Sequence, residues 1–324
     1  MPHLLTYIQL TLTVFFWGAV FHIGKYVVQF LSPMVVGSWR FIIAGLILFI
    51  FVSLREKWDI QALRNNIRPL LFMSVIGIMG VNFSLFYGLQ LTSAINAGLI
   101  MALSPILTAI LTAFFQKEPL NHQQILAMGL SFFGVAIVVS GGSLQAIRDL
   151  HFALGDALVL IASFSWALYS AIPKRFVHGV SPLHTTTVTI IVGAIFMTVI
   201  SASLSSDFYT LPAWNVLLAI ATMAFFCTAL AFVWWNEGLR KIGPAQGAIF
   251  MNLAPIFATL IAIALGQTPS LPQFIGMILI ISGVVYNSRK PSATPKLFSR
   301  STTYHRVNSS TRSALPASVA PQTE

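Results

Sequence analysis

The chain repeats its opening stretch at half-length, and this repetition constrains the fold more than any other feature of the sequence. The segment FFWGAVFHIGKYVVQFLSP at residues 15–33 returns as FSWALYSAIPKRFVHGVSP at residues 164–182. With a shift of 149, Phe15, Trp17, Lys25, Val28, Ser32 and Pro33 correspond to Phe164, Trp166, Lys174, Val177, Ser181 and Pro182. Matches at Trp, Lys and Pro in one register rarely arise by chance, so two copies of one structural unit are predicted.

The same register continues beyond this stretch, with one inserted residue between its blocks. Pro105, for example, returns as Pro255 at a shift of 150. Because the matches run in order along most of the chain, the two copies are whole structural units rather than short motifs. We therefore predict a first repeat at residues 1–143 and a second repeat at residues 144–290.

Composition indicates that both repeats lie in a membrane. Hydrophobic residues make up 56% of the chain and charged residues only 8%, whereas a soluble domain carries about 25% charged residues. The net charge of +10 comes from Lys and Arg residues in short clusters between apolar runs and in the C-terminal tail. That pattern is typical of membrane topology and not of nucleic-acid binding, so the lipid bilayer is the predicted partner. The single Cys excludes a disulfide framework and a thiolate metal site.

Ten apolar segments are long enough to cross a bilayer, which takes about 20 residues each. They are predicted at residues 4–27, 33–54, 69–89, 94–115, 121–140, 154–173, 182–204, 213–236, 244–265 and 272–286. The predicted fold is therefore an all-α integral membrane protein, with five helices in each repeat. Since five is odd, the second repeat enters the membrane from the opposite side, which is the inverted arrangement of many secondary transporters.

The basic residues of the loops predict the orientation of the helices. On the side of the N-terminus lie Arg55, Lys57, Arg64, Arg68, Lys117, Lys174, Arg175, Arg240 and Lys241. Only Lys25 and Arg148 lie on the other side. Cytoplasmic loops carry an excess of Lys and Arg, so both termini are predicted to be cytoplasmic. Residues 291–324 are rich in Ser, Thr and Pro, which predicts a disordered cytoplasmic tail.

Two matched prolines, Pro105 and Pro255, fall near the middle of the fourth and ninth segments. A proline inside a helix frees the carbonyl four residues before it. The groups available at this depth are the carbonyls of Met101 and Met251 and the side chains of Ser104 and Asn252. Irregular backbone is tolerated there only where it faces protein or a polar cavity. The matched positions favour a substrate-binding element over two tolerated kinks.

Charged and aromatic residues within the segments supply further candidates for substrate binding. Arg40 lies roughly 10 Å inside the second segment at about 1.5 Å per residue. It forms either a structural charge contact or a binding group for an anionic solute. Trp17 and Lys25 lie close to one helical face at i and i+8, and Trp166 is the equivalent of Trp17. The alternative for Lys25 is an end-of-helix side chain that reaches the headgroups.

Glu237 is the candidate for proton coupling. It lies near the predicted end of the eighth segment, three and four residues before Arg240 and Lys241. Pairs at this spacing are common on helix surfaces, so an ion pair with one of these residues is the favoured interpretation. Proton coupling is kept as the alternative.

The ordered motifs resemble one known family. FFWGAVFHIGKYVVQFLSPMVVGSWRF, TSAINAGLIMALSPILTAILTAFFQKEPL, NEGLRKIGPAQGAIFMNLAPIFATL and FIGMILIISGVV resemble the EamA family of the drug/metabolite transporter superfamily. The resemblance implies a ten-helix, two-repeat carrier of the bacterial inner membrane that exports amino acids or other metabolites. The positions of this chain that match the family pattern are Trp17, Lys25, Arg40, Pro105, Glu118, Gly134, Pro255 and Gly283. Gln267 departs from the pattern, since the family tends to have a Glu at that point of each repeat.

Taken together, these features predict a secondary transporter that exports amino acids or related small metabolites by alternating access. No phosphate loop, HExxH or GxSxG motif is present, so we predict neither enzymatic activity nor a cofactor or bound metal. Two alternatives remain, a non-transporting scaffold or complex subunit and a carrier of cationic drugs. The latter chemistry looks for a carboxylate in the first helix, which has none. A homodimer is left open.

Overall fold

The computed structural model describes residues 3–117, 119–149, 153–266 and 268–288, and ten of its helices are long and apolar enough to cross a membrane. They are α1 (Leu4–Val27), α2 (Pro33–Arg55), α3 (Ile67–Leu91), α4 (Ile95–Gln116), α5 (His122–Ser140), α6 (Leu154–Phe176), α7 (Pro182–Leu204), α8 (Trp214–Ile242), α9 (Pro244–Ala264) and α10 (Leu271–Ser288). The predicted all-α fold with ten spans is confirmed. The predicted tail lies outside the described residues.

Prolines and small polar residues fix where these helices begin. Pro33, Pro182 and Pro244 occupy the first positions of α2, α7 and α9, where the missing N–H removes no helical hydrogen bond. At the start of α5, the side chain of Asn121 accepts from the backbone N–H of Gln124 at 2.7 Å. The Gln124 side chain accepts from the Asn121 N–H at 3.1 Å, which completes a capping box.

The predicted bounds agree with the structure to within three residues at every helix except α8. That helix continues to Ile242, so Glu237 and Arg240 lie on a regular helix and not in a loop. Two short helices in the connections, Ile60–Asn65 and Leu144–Arg148, were not predicted. Their few residues give too short a pattern to be recognised against the long apolar segments.

Two membrane helices contain π-helical segments at equivalent positions. Met73–Gly80 lies in α3 and Met223–Leu230 lies in α8, at the repeat shift of 150. A π-helical turn displaces the backbone hydrogen bonds from their usual i→i−4 pattern and is frequent at functional sites. The sequence did not predict either segment.

The interruptions predicted in α4 and α9 are confirmed. In the fourth span, the helices Ala94–Met101 and Ser104–Gln116 are separated by a turn just before the proline. In the ninth, a 3₁₀ segment at Ile249–Leu253 separates Pro244–Ala248 from Ala254–Ala264. The prediction that the Met251 carbonyl is free is wrong, because the 3₁₀ turn lets it accept from the backbone N–H of Ala254. The role of these breaks in solute binding stays a prediction.

Each half of the chain packs its first helix against the other half. α1 contacts α8 and α9, and α6 contacts α3 and α4. α5 and α10 approach closely, because a Cβ atom on Gly134 would lie only 2.7 Å from the carbonyl oxygen of Gly276. Small residues at such contacts allow backbones to meet. The two halves are therefore interlocked.

Two matched serine–carboxylate contacts join the halves at opposite ends of the bundle. After α1, the backbone N–H of Ser32 donates to Asp207 Oδ2 at 2.6 Å and its hydroxyl to Oδ1 at 3.2 Å. After α6, the hydroxyl of the equivalent Ser181 donates to Glu56 Oε2 at 2.9 Å, and His184 Nδ1 lies 2.9 Å from the same oxygen. The repeat therefore extends from the sequence to the tertiary contacts.

Candidate functional site

Five aromatic side chains meet where α1, α6 and α8 cross. This central cluster consists of Trp17, Trp166, Tyr169, Phe232 and Trp235. The Trp17 ring centroid lies 5.1 Å from that of Trp166 and 5.2 Å from that of Trp235. Trp166 stacks on Tyr169 at 5.5 Å. Ring pairs at such distances stabilise each other beyond simple burial. The two predicted tryptophans thus meet, one from each half.

The two equivalent tryptophans differ in their hydrogen bonds. Trp17 Nε1 donates to the carbonyl oxygen of Cys227 at 3.0 Å, within the π-helical segment of α8. Trp166 Nε1 is buried and has no hydrogen-bond partner in the part of the chain that the structure describes. Gly77, the counterpart of Cys227, lies against Tyr169, whose Cδ2 is 2.5 Å from the position of a Cβ atom. A buried donor without a partner costs about 1–3 kcal/mol, so Trp166 offers an unused donor at the cluster.

Arg40 places a positive charge beside the central cluster. Its side chain is only 8% exposed, and its guanidinium carbon lies 4.8 Å from the ring centroid of Phe41. That ring is 6.2 Å from Phe232. Nη2 donates to Asn82 Oδ1 at 3.2 Å, while Nε is buried without a partner. Among the described Asp and Glu residues, none forms an ion pair with Arg40. Buried charges are usually paired, so the site lacks a counter-charge.

The interruption of α4 lies against α6. Met101 ends the first part of α4, and Ser104 and Pro105 begin the second part. The fully buried hydroxyl of Ser104 lies 2.8 Å from that of Ser163 on α6. Since Ser163 precedes Trp166 by one helical turn, this break is close to the central cluster.

The interruption of α9 occupies the corresponding place against α1. The 3₁₀ segment Ile249–Leu253 contacts α1, and Met251 packs against the hydrophobic core that contains the central cluster. Asn252 is buried, and Pro255 follows in the first turn of the next helical part. The structure therefore brings the two breaks to the first helix of the opposite half.

The other predicted residues lie at helix ends. Lys25 is exposed in the last turn of α1, and Lys174 is exposed in the last turn of α6. Glu237 forms an ion pair with Lys241 at 2.7 Å, as the i, i+4 spacing indicated. A part for Glu237 in proton coupling stays a prediction. We name the two ends of the bundle the Lys25 end and the Lys174 end.

The bundle is closed by helix packing at the Lys174 end. There α6 contacts the helical parts Ala231–Ile242 of α8 and Pro244–Ala248 of α9. At the Lys25 end, the described part of α1 packs less closely against the equivalent parts of the first half, Val81–Leu91 and Ala94–Met101. The two halves therefore have different conformations, with the second closed around its first helix.

Hydrogen bonds accompany the closure at the Lys174 end. Trp235 Nε1 donates to the Ser170 hydroxyl at 3.3 Å, and Asn236 Nδ2 donates to the Tyr169 hydroxyl at 2.9 Å. Both bonds join α6 to α8. Each bond joins a residue of the central cluster, Trp235 or Tyr169, to a residue nearer the Lys174 end, Ser170 or Asn236.

Sequence reasoning missed Tyr169, Phe232 and Trp235. Comparison of the halves selects identical residues, and the counterparts of these three are Val20, Asn82 and Leu85. A signal was nevertheless present. Tyr169 follows Trp166 by three residues, and Trp235 follows Phe232 by three, so each pair lies on one helical face.

Residues 4–140 and 153–289 each match the EamA-like transporter family. The chain belongs to the EamA-like transporter family. The two matches confirm that the EamA unit occurs twice, with five membrane helices in each copy. The chain is thus a multi-pass membrane protein of the drug/metabolite transporter superfamily. Glu118 and Gln267, which bear on the EamA pattern, lie outside the described residues.

EamA-family relatives named as transporters match over nearly the whole chain. The uncharacterized transporter YyaM of Bacillus subtilis (strain 168) is 36% identical over 307 residues, covering 90% of this chain and 100% of the relative. The uncharacterized inner membrane transporter YedA of Escherichia coli (strain K12) is 25% identical, covering 83% and 86%. A crystal structure with 20% identity superposes with a TM-score of 0.73, covering 87% of this chain and 96% of that one. At that identity it supports the fold alone.

Proposed function

We propose that this protein is a secondary transporter that exports amino acids or related small metabolites across the bacterial inner membrane. The observation that carries the proposal is Arg40, a buried guanidinium beside the central cluster that has no acidic partner among the described residues. The carboxylate of a solute would supply the missing counter-charge, and charge-assisted bonds to Arg are the stronger kind. Charged residues inside a membrane bundle commonly mark the path of a solute.

The central cluster suits the rest of such a solute. Apolar groups of the solute would pack on the rings of Trp17 and Trp166, and the Nε1 donor of Trp166 would gain an acceptor. An acceptor there would relieve the cost of the unpaired donor. A carboxylate with an attached apolar group therefore matches the groups that surround the site.

The unequal ends of the bundle support alternating access as the mechanism. The site lies between an end closed by α6, α8 and α9 and an end where the equivalent packing is weaker. In inverted-repeat carriers the two halves exchange such conformations around a central site. Exchange of the two conformations would open the Lys174 end and close the Lys25 end.

We expect the Lys174 end to face the cytoplasm, because most Lys and Arg residues of the loops lie on that side. Reporter fusions after Lys290 should therefore be active as cytoplasmic GFP. Fusions after Arg148 should be active as periplasmic alkaline phosphatase. The opposite pattern at either position would contradict the proposed orientation, and both termini would have to be reassigned.

Flux measurements test the proposed function and the role of Arg40. Profiling of culture media with and without the gene would identify the exported solute, which is then measured in inverted vesicles. Arg40→Lys should reduce its flux about tenfold or more, because a lost charge-assisted hydrogen bond costs about 1.5–3 kcal/mol and Lys lacks the planar fork. Arg55→Lys is the matched control, since Arg55 is exposed at the end of the same helix.

Three outcomes would count against this proposal. Normal flux in Arg40→Lys, with equal protein in the membrane, would remove the guanidinium from the solute site. Absence of any gene-dependent solute would favour a scaffold or complex subunit. Transport of organic cations alone would contradict a site built around a buried positive charge.

A further inference from the structure

A pocket of about 160 Å³ opens at the Lys174 end, among the ends of α6, α7, α8 and α9. The lining side chains with polar groups are Ser170, Lys174, Thr185, Asn236 and Arg240. Ser170 and Asn236 follow Trp166 and Phe232 by four residues on the same helices, so they lie one turn from the central cluster. The pocket is therefore the part of the closed end that adjoins the candidate site.

The charge of this pocket is entirely positive. Lys174 and Arg240 line it, and none of its lining residues is an Asp or Glu. The nearest carboxylate in sequence, Glu237, is engaged with Lys241 at 2.7 Å. In the described structure neither Lys174 nor Arg240 forms an ion pair. Two unpaired basic groups over a concave surface concentrate anions there.

Asn236 gives the pocket a buried acceptor without a donor. This residue is only 6% exposed, and its Nδ2 donates to the hydroxyls of Tyr169 at 2.9 Å and Thr186 at 2.8 Å. The Thr186 hydroxyl is itself a donor to the Pro182 carbonyl at 2.7 Å, which requires the amide nitrogen to face Thr186. Among the described residues, Asn236 Oδ1 therefore has no partner, although it is buried. A hydrogen-bond donor entering the pocket would satisfy it.

We propose that this pocket is a second binding site, a mouth site for small amino or hydroxy acids. Lys174 and Arg240 bind the carboxylate, and Asn236 Oδ1 accepts from the neighbouring N–H or O–H of the ligand. The volume restricts the ligand to a small molecule. The identity of the physiological ligand rests on the proposed function. The existence of the mouth site does not, because binding at the mouth requires no transport.

Charge-selective labelling tests this proposal. On a Cys227→Ala background, Val177→Cys places a thiol in the pocket lining. Its labelling rates are measured with a sulfonatoethyl and a trimethylammonioethyl methanethiosulfonate, which differ mainly in charge. The ratio of the anionic to the cationic rate should fall about tenfold when Lys174→Gln and Arg240→Gln are combined, because the local anion concentration falls. The ratio cancels any change in thiol reactivity.

Matched variants separate the pocket from general surface charge. Arg175→Gln removes one charge beside Lys174 but outside the lining, so the ratio should stay unchanged. The combination of Lys174→Arg with Arg240→Lys keeps both charges and should preserve the ratio. Equal falls in Arg175→Gln and in the pocket variants would overturn the site, as would no fall in either.

A second measurement uses glycine and acetate as probes. Both have a carboxylate, but only glycine also has a donor for Asn236. Glycine should slow labelling of Val177→Cys by uncharged N-ethylmaleimide at lower concentration than acetate, and Lys174→Gln with Arg240→Gln should abolish both effects. No protection by either probe would refute the mouth site even if flux is normal. Protection without any gene-dependent flux would refute the proposed function and leave the mouth site standing.

Discussion

At the scale of single residues, equivalent positions of the two halves differ in chemistry around the centre. Arg40 corresponds to Thr189, and its partner Asn82 corresponds to Phe232. Trp235, which binds Ser170, corresponds to Leu85. The symmetric backbone therefore holds an asymmetric site, with the charge supplied by the first half and most of the rings by the second. Such asymmetry allows one end of a solute to be distinguished from the other.

The unequal bonds of the matched tryptophans give a stability prediction. Trp17→Phe loses the bond to the Cys227 carbonyl, whereas Trp166→Phe removes a donor that has no partner. Both changes remove a similar ring volume, so their difference reports the hydrogen bond. We expect Trp17→Phe to be less stable than Trp166→Phe by about 1 kcal/mol.

Thermal unfolding of the two purified variants in detergent measures this difference directly. The lower midpoint should belong to Trp17→Phe. Equal midpoints, or a lower midpoint for Trp166→Phe, would contradict the described bond to Cys227 and the missing partner at Trp166.

The sequence predicted those residues of the site that recur in both repeats or that are of a type rare in apolar segments. Trp17, Trp166 and Arg40 were predicted because Trp recurred at the repeat shift and because a charge is unusual in an apolar segment. Tyr169, Phe232 and Trp235 belong to a chain with many aromatic residues, and their local signal is limited to the three-residue spacing within each pair. Only the crossing of α1, α6 and α8 selects them from the rest.

At the scale of elements, hydropathy and proline predicted the helices and their breaks, but not the π-helical segments. Long apolar runs fix span number because a bilayer leaves few alternatives. The segments Met73–Gly80 and Met223–Leu230 contain neither proline nor any other local signal that predicts a π-helix. Their tertiary contacts are specific, since one receives the Trp17 indole and the other faces Tyr169. Such contacts cannot be read from a single helix.

The breaks in α4 and α9 give a prediction for flux. Pro105→Ala and Pro255→Ala restore the missing N–H and should regularise the helix. We expect both to lower flux of the identified solute at least about tenfold, as one lost solute contact of 1.4 kcal/mol is a factor of about ten. Pro182→Ala is the control, because Pro182 begins α7 and no earlier helical part of the same span precedes it.

Flux in vesicles is compared at equal amounts of membrane-inserted, monodisperse protein. If Pro105→Ala and Pro255→Ala transport as well as Pro182→Ala does, the breaks are packing features of α4 and α9. The solute site would then be limited to Arg40 and the central cluster.

At the scale of the whole molecule, the two inverted halves imply a second conformation. In the described structure α6 packs against the last part of α8 and the first part of α9, while α1 makes weaker contacts with the equivalent segments Val81–Leu91 and Ala94–Met101. Because the halves share one fold, each is capable of the packing shown by the other. The second conformation should therefore have α1 packed in this way and α6 released.

Distances between spin labels test this exchange with two matched pairs. Val28→Cys with Gln90→Cys reports the Lys25 end, and the equivalent Val177→Cys with Arg240→Cys reports the Lys174 end. In the described structure the first pair belongs to the less closely packed end and the second pair to the closed end. Both pairs should show two distance populations in lipid, since such helix motions exchange on the μs–ms scale and freezing captures each state. Conditions that shorten the first distance should lengthen the second. A single unchanging population at both ends, or shifts of the same sign at both ends, would mean that the halves do not exchange conformations.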